Sequence, residues 1–127
     1  MKNLISLFAL IALFTFTTTA VSAQSLEFIN KSQCDVTVQL YIFDANCDLV
    51  CAGNPVTVLG ETEISIPWNC GVLYQPSTST FAIRVLDGMT GAGVGTGCGL
   101  SLIDNYDDCQ GINRTLEMYS PASAVIY

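Results

Sequence analysis

The stretch Asp35-Val36-Thr37-Val38-Gln39-Leu40-Tyr41-Ile42-Phe43 decides the fold class. Val36, Val38, Leu40 and Ile42 fall on one parity and Thr37, Gln39, Tyr41 and Phe43 on the other, the two-residue period of a half-buried strand. Upstream, residues 26–30 read as a short strand, and Lys31-Ser32-Gln33 is the polar connection that makes the two strands neighbours. Downstream, residues 55–59 and 62–68 flank Gly60-Glu61 and read as a hairpin with Ile64, Ile66 and Trp68 turned inward. Residues 80–86 alternate again, Phe81, Ile83 and Val85 opposite Arg84, before a turn at Asp87-Gly88. Residues 99–103, 113–120 and 122–127 complete a set of roughly seven to nine strands, with Pro121 dividing the last two. No window of this region has the three-to-four-residue apolar period of a long helix. The expected fold is all-β: an antiparallel two-sheet sandwich, immunoglobulin-like or jelly-roll-like and stabilised by disulfides, with a small closed β-barrel as the alternative.

Ahead of these strands, Lys2, the apolar residues 4–16 and Val21-Ser22-Ala23 supply the three parts of a secretory signal, with cleavage expected before Gln24. The apolar run is short for a membrane span and passes into Thr17, Thr18 and Thr19. Cys34 lies too far from the cleavage point for a lipid-anchored product. Residues 1–23 are therefore read as a signal peptide and residues 24–127 as a single domain, with no membrane insertion after cleavage. The expected location is secreted and extracellular, or periplasmic if export stops there in a Gram-negative host.

Loss of Lys2 takes the formal charge from −7 to −8 and leaves Lys31, Arg84 and Arg114 against eleven carboxylates. Nucleic acid is a poor partner for that field. Histidine is absent, which removes the commonest general base and the nucleophile triads, so no catalytic residue is expected. A hydrolase using Asp104, Asp107 and Asp108 is the remaining enzyme reading. Acids in one loop seldom face each other across a cleft, which counts against it. Six cysteines, Cys34, Cys47, Cys51, Cys70, Cys98 and Cys109, point to three disulfides in an exported domain. Cys47 with Cys51 is the favoured local clasp, and the other four are expected to join distant strands. Zinc is disfavoured without histidine or paired C-x-x-C knuckles.

Three features could carry recognition. Asp44, Asn46 and Asp48 place oxygen atoms at every second position, a spacing that suits calcium. Leu49 and Pro55 stand where an EF-hand needs glycine and glutamate, so a plain polar loop is the preferred reading. No cofactor is expected beyond that one calcium candidate. Residues 104–108 form a second acidic loop that could share a cation with the first if the fold brings them together. Gly91, Gly93, Gly95, Gly97 and Gly99 alternate with other residues, which in extended backbone leaves one face bare. That pattern is read as a flexible connection or a closely packed strand, with a ligand groove or a self-pairing edge as the alternatives, and it matches no phosphate-binding loop. Among the aromatics, Trp68 is assigned to the core beside Cys70, while Tyr74, Tyr106 and Tyr119 are candidates to face a sugar or a protein. Tyr74, followed by polar residues 75–80, is the ligand-binding candidate. Asn30-Lys31-Ser32 and Asn113-Arg114-Thr115 are glycosylation sequons, relevant only in a eukaryotic host.

Phe28-Ile29-Asn30 followed by Cys34 and Val36-Thr37-Val38 resembles the first hairpin of thaumatin-like secreted proteins. The chain is far shorter and poorer in cysteine than that family, and the resemblance implies no function. The expected function is that of a secreted, non-catalytic binding or structural module at the cell surface or in the extracellular matrix, with an extracellular glycan or protein as partner. The alternative is a small secreted inhibitor or effector that uses loop 46–53 as a rigid wedge.

Overall fold

The computed structural model describes residues 25–68, 79–87 and 91–127. Ten strands form within them: β1 (Ser25–Asn30), β2 (Val36–Phe43), β3 (Leu49–Ala52), β4 (Val56–Val58), β5 (Thr62–Pro67), β6 (Thr80–Val85), β7 (Gly93–Gly95), β8 (Ile103–Asp107), β9 (Asn113–Ser120) and β10 (Ser123–Ile126). They make two sheets, ordered β5-β1-β10-β9-β8 and β3-β2-β6-β7, with β4 also paired to β2. The expected sandwich is what forms, and the closed barrel is not. One pair departs from the antiparallel rule, since β1 runs parallel to β10. Among the described residues no helix is long and apolar enough to cross a membrane. The expected signal peptide, Cys70 and Tyr74 lie outside the described residues.

The core follows from the alternation. Val36, Val38, Leu40 and Ile42 of β2 and Phe81, Ile83 and Val85 of β6 are all 5% exposed or less, and Val36, Val38, Leu40, Ile83 and Val85 form one core cluster with Leu26, Phe28, Leu116, Met118 and Ile126 of the first sheet. Trp68 is half-buried at the margin of this core, its ring edge-on to Phe81 at 4.8 Å.

Neither expected hairpin forms. Lys31-Ser32-Gln33 does not fold β2 back beside β1; it carries the chain from the first sheet to the second, so the segment that resembles a thaumatin-like hairpin is a sheet-to-sheet crossing. Gly60-Glu61 carries the chain back in the same way, from β4 on β2 to β5 on β1. The two crossings are pressed together at one corner. A Cβ on Gly60 would stand 2.5 Å from the Gln33 carbonyl, the Gly60 amide donates to Asp35 Oδ1 at 2.9 Å, and the Glu61 amide donates to the Ser32 carbonyl. At their centre lies Asn30, 1% exposed. Its amide donates to the carbonyls of Cys34 and Leu59, and its Oδ1 accepts from the amide and hydroxyl of Ser32. An N-linked glycan on Asn30 is incompatible with that packing, whereas Asn113 is exposed.

Residues 99–103 were expected to be a strand, but pairing with β9 begins only at Ile103. Cys98 and Gly99, at φ +55° and +75°, turn the chain just before it, and left-handed backbone cannot continue a ladder. Residues 104–108, read as a loop, are thus largely strand β8.

Cys34 joins Cys109 and Cys47 joins Cys98, and Cys51 is also disulfide-bonded. The expected Cys47–Cys51 clasp is therefore wrong. Cys51 stands opposite the inward-facing Ile42 in the β2–β3 ladder, whereas Cys47 sits in the turn at φ +66° and reaches the loop after β7.

Candidate functional site

The outward parity of the second sheet builds an open groove of about 400 Å³. In β2 that parity carries Gln39, Tyr41 and Phe43; the register places Ala82 beside Tyr41 and Arg84 beside Gln39 on β6, then Gly95 beside Ala82 and Gly93 beside Arg84 on β7. The sequence therefore sets large rings on one strand and almost nothing on the strand two places away. Ala82 and Gly93 leave a low floor, Tyr41 and Phe43 rise as one wall, and Leu100 folds over Gly95 as the other. A Cβ on Gly95 would stand 2.6 Å from Leu100 Cδ1 and 2.9 Å from the Phe81 carbonyl, so the residue must be glycine for that wall to close.

The wall is held in place. The Tyr41 and Phe43 rings lie 23° from parallel with centroids 6.4 Å apart, forming one near-continuous aromatic strip. The Tyr41 hydroxyl donates to Gln39 Oε1 at 2.7 Å, and Gln39 Nε2 donates to the Gly53 carbonyl at 2.8 Å. The floor is held as well, because the Gly93 amide donates to Asp104 Oδ2 at 2.9 Å and so ties β7 to β8. Arg84 is exposed and lies along the groove, its guanidinium against the backbone of Gly91, where a Cβ would come within 3.5 Å of Nη2. Such a surface is polar at its ends, apolar at its centre and preorganised, which suits it to stack on a flat amphipathic ring.

A smaller cleft of about 120 Å³ beside the Cys34–Cys109 disulfide is lined by Asp35, Asp87, Asp107, Asp108 and Tyr106. Each carboxylate there is engaged locally. Asp35 accepts from the Gly60 amide, Asp87 from the Thr37 amide, Asp107 from Asn113 Nδ2, and Asp108 from the amides of Gln110 and Ile112 and from Arg114 Nε at 2.7 Å. The Arg114 guanidinium holds the Asp108 carboxyl below the usual aspartate range. Tyr106, one of the candidates to face a partner, is only 2% exposed, because its place in β8 turns it into the core. Burial, with Asp108 nearby, pushes its phenol up to about 12, and its hydroxyl has no hydrogen-bond partner among the described residues. Ser32, whose hydroxyl donates to Asn30, stands close to it.

The calcium candidates make a turn. Asp44 Oδ1 accepts from the amides of Asn46 and Asp48, at 2.8 and 3.0 Å, the geometry by which a short acidic side chain caps a loop. Among the described residues, no group of three or more His, Cys, Asp or Glu side chains converges as a metal centre, and the acidic stretches at 44–48 and 104–108 do not combine into one. Asp104, Asp107 and Asp108 bond to three different partners, Gly93, Asn113 and Arg114. Tyr119 is 62% exposed on the open face of the first sheet beside Glu117, to which the Tyr127 hydroxyl donates. That bond, the main cause, pushes Tyr127 up to about 12.

No protein-family model, no curated protein and no solved structure matches the chain.

The groove joins two features the sequence had already displayed, the outward parity of β2 and the alternating glycines. Tyr41 and Phe43 were visible as one face of the best strand, but not as the wall of a groove. What the sequence did not display is which strands neighbour β2, and so that Gly95 lies across from Tyr41.

Proposed function

We propose that this chain is a secreted, non-catalytic binding module that takes a glycan chain along the outer face of its second sheet. The observation that carries this reading is the Tyr41–Phe43 strip standing over a floor of Ala82 and Gly93. A sugar ring presents an apolar face and a polar rim, so it stacks on an aromatic wall while its hydroxyls reach the polar ends of the groove. The glycine floor lets the chain approach the backbone closely. Export rests on the leader pattern and is supported by the disulfides, which form and persist in oxidising compartments.

Tyr41→Ala and Gly93→Val tested together check the reading. Each is expected to abolish retention on an immobilised glycan while the melting transition stays cooperative. Retention that survives both substitutions refutes the groove as the site.

A second reading, a secreted inhibitor or effector, draws on loop 46–53. Leu49 and Val50 are 55% and 46% exposed there, on a segment anchored by Cys47 and Cys51. A charge introduced at Leu49 would disrupt a protein complex and leave glycan retention untouched.

A further inference from the structure

Arg84 lines the groove and, among the described residues, has no ion-pair partner. Beyond Lys2, three basic side chains stand against eleven carboxylates in the sequence, so a basic residue has every opportunity to be neutralised. Arg114 takes one, pairing with the enclosed carboxyl of Asp108. Arg84 and Lys31 take none among the described residues, and of these two it is Arg84 that lines the groove, exposed on an acidic molecule. Its Nε and Nη2 lie within 3.6 Å of the place a Cβ on Gly91 would occupy, so the glycine at 91 keeps that side of the guanidinium clear. Asp104, which borders the groove floor, accepts the Gly93 amide at its Oδ2.

Register fixes where this charge lies relative to the aromatic wall. Tyr41 pairs with Ala82, and Arg84 is two residues further along β6 on the same face, about 7 Å away along the strand. A pyranose stacked on Tyr41 therefore presents its rim toward Arg84. The guanidinium is a planar fork that matches a carboxylate in bidentate fashion.

We infer that the groove recognises a uronate-containing polysaccharide, with Arg84 as the residue that selects the sugar carboxylate. The inference rests on the glycan reading of the groove. The chain, whose net charge goes from −7 to −8 on loss of Lys2, repels polyanions as a whole, so the carboxylate contact is confined to Arg84.

The test titrates the disulfide-bonded protein, purified from an exporting host, with oligogalacturonate and with the same oligomer methyl-esterified at every carboxyl. The two probes differ in charge and hardly in shape. The acid form is expected to bind about ten- to a hundredfold more tightly, the range of a charge-assisted contact. Arg84→Met is expected to erase that difference, Arg84→Lys to restore part of it, and Tyr41→Ala to weaken both probes. Equal binding of the two oligomers with Arg84→Met unchanged overturns the uronate inference and leaves the glycan reading standing. Loss of the acid preference with oligomannuronate in place of oligogalacturonate narrows the sugar and supports the role of Arg84. No binding of either oligomer or of neutral gluco-, manno- and xylo-oligosaccharides overturns both. Displacement of the oligomer by polyglutamate at equal concentration overturns the inference in favour of an acidic peptide.

Discussion

Asn30 shows how much one buried amide can organise. Four hydrogen bonds at or below 3.1 Å converge on it from Ser32, Cys34 and Leu59, at the corner where the chain twice changes sheets. Asn30→Ala leaves the Ser32 amide and hydroxyl without the Asn30 acceptor and takes a donor from the Cys34 carbonyl in this buried corner, so a loss of about 1–3 kcal/mol is expected in denaturant unfolding. A loss below 1 kcal/mol would show that water enters the corner and takes the place of the amide. Asp108 makes a prediction of a different kind, because its contribution depends on protonation. Its carboxyl is held below the ordinary aspartate value chiefly by Arg114, so the folded state binds its proton less readily than the unfolded chain. The stability it adds is therefore complete above the ordinary aspartate range and is lost as pH falls through the lowered folded value. Asp108→Asn should lower the melting midpoint at neutral pH, and the gap from the unsubstituted protein should close in strongly acidic buffer. A gap that stays constant with pH would mean that packing, not charge, is what the substitution removes.

Strand β7 is where packing and function meet within a single element. Gly93 and Gly95 differ by two residues and share a face, yet a Cβ at Gly95 would strike the Phe81 carbonyl and Leu100, while at Gly93 its closest contacts are ordinary ones at 3.9 Å. Gly95→Ala should thus destabilise by about 1–3 kcal/mol, the usual cost of overpacking, and Gly93→Ala should be neutral or slightly stabilising. Equal effects would mean that β7 does not hold its place against β6. This strand also marks the limit of what the sequence disclosed. Alternation identified β2 and β6 because each has a buried face of large apolar residues, and that parity survives any topology. It could not see β3 or β7, whose residues Leu49–Ala52 and Gly93–Gly95 lack such a face. Short connections were read as hairpins at Lys31-Ser32-Gln33 and Gly60-Glu61, since local spacing carries no information about which sheet the next strand joins. The same blindness hid the groove: each residue was legible, but the ladder that sets Tyr41 across from Gly95 is non-local. Disulfide pairing failed for the same reason, Cys47 finding Cys98 at a separation of 51 residues instead of Cys51.

At the scale of the molecule, the question is what holds together two sheets of short strands joined by crossings. Cys34–Cys109 and Cys47–Cys98 close segments of 75 and 51 residues, and in the chain-entropy model each bond of that span contributes about 4 kcal/mol. A domain of this size has only about 5–15 kcal/mol of net stability, so reduction should remove most of it and the reduced protein should melt near or below ambient temperature. A reduced form that keeps its oxidised midpoint would place the stability in the core alone. Calcium is the matching control. A cation held by Asp44, Asn46 and Asp48 would bind the native state only, and at a hundredfold over its dissociation constant would add about 2.7 kcal/mol, roughly ten degrees or more in the midpoint. Asp44 Oδ1 accepts from the amides of Asn46 and Asp48, and these bonds close the loop as a turn by themselves. The midpoint of the oxidised protein is therefore expected to be the same in calcium and in chelator. A calcium-dependent rise that Asp44→Ala removes would show that the turn opens to take the ion, and would move the search for a ligand from the groove of the second sheet to this loop.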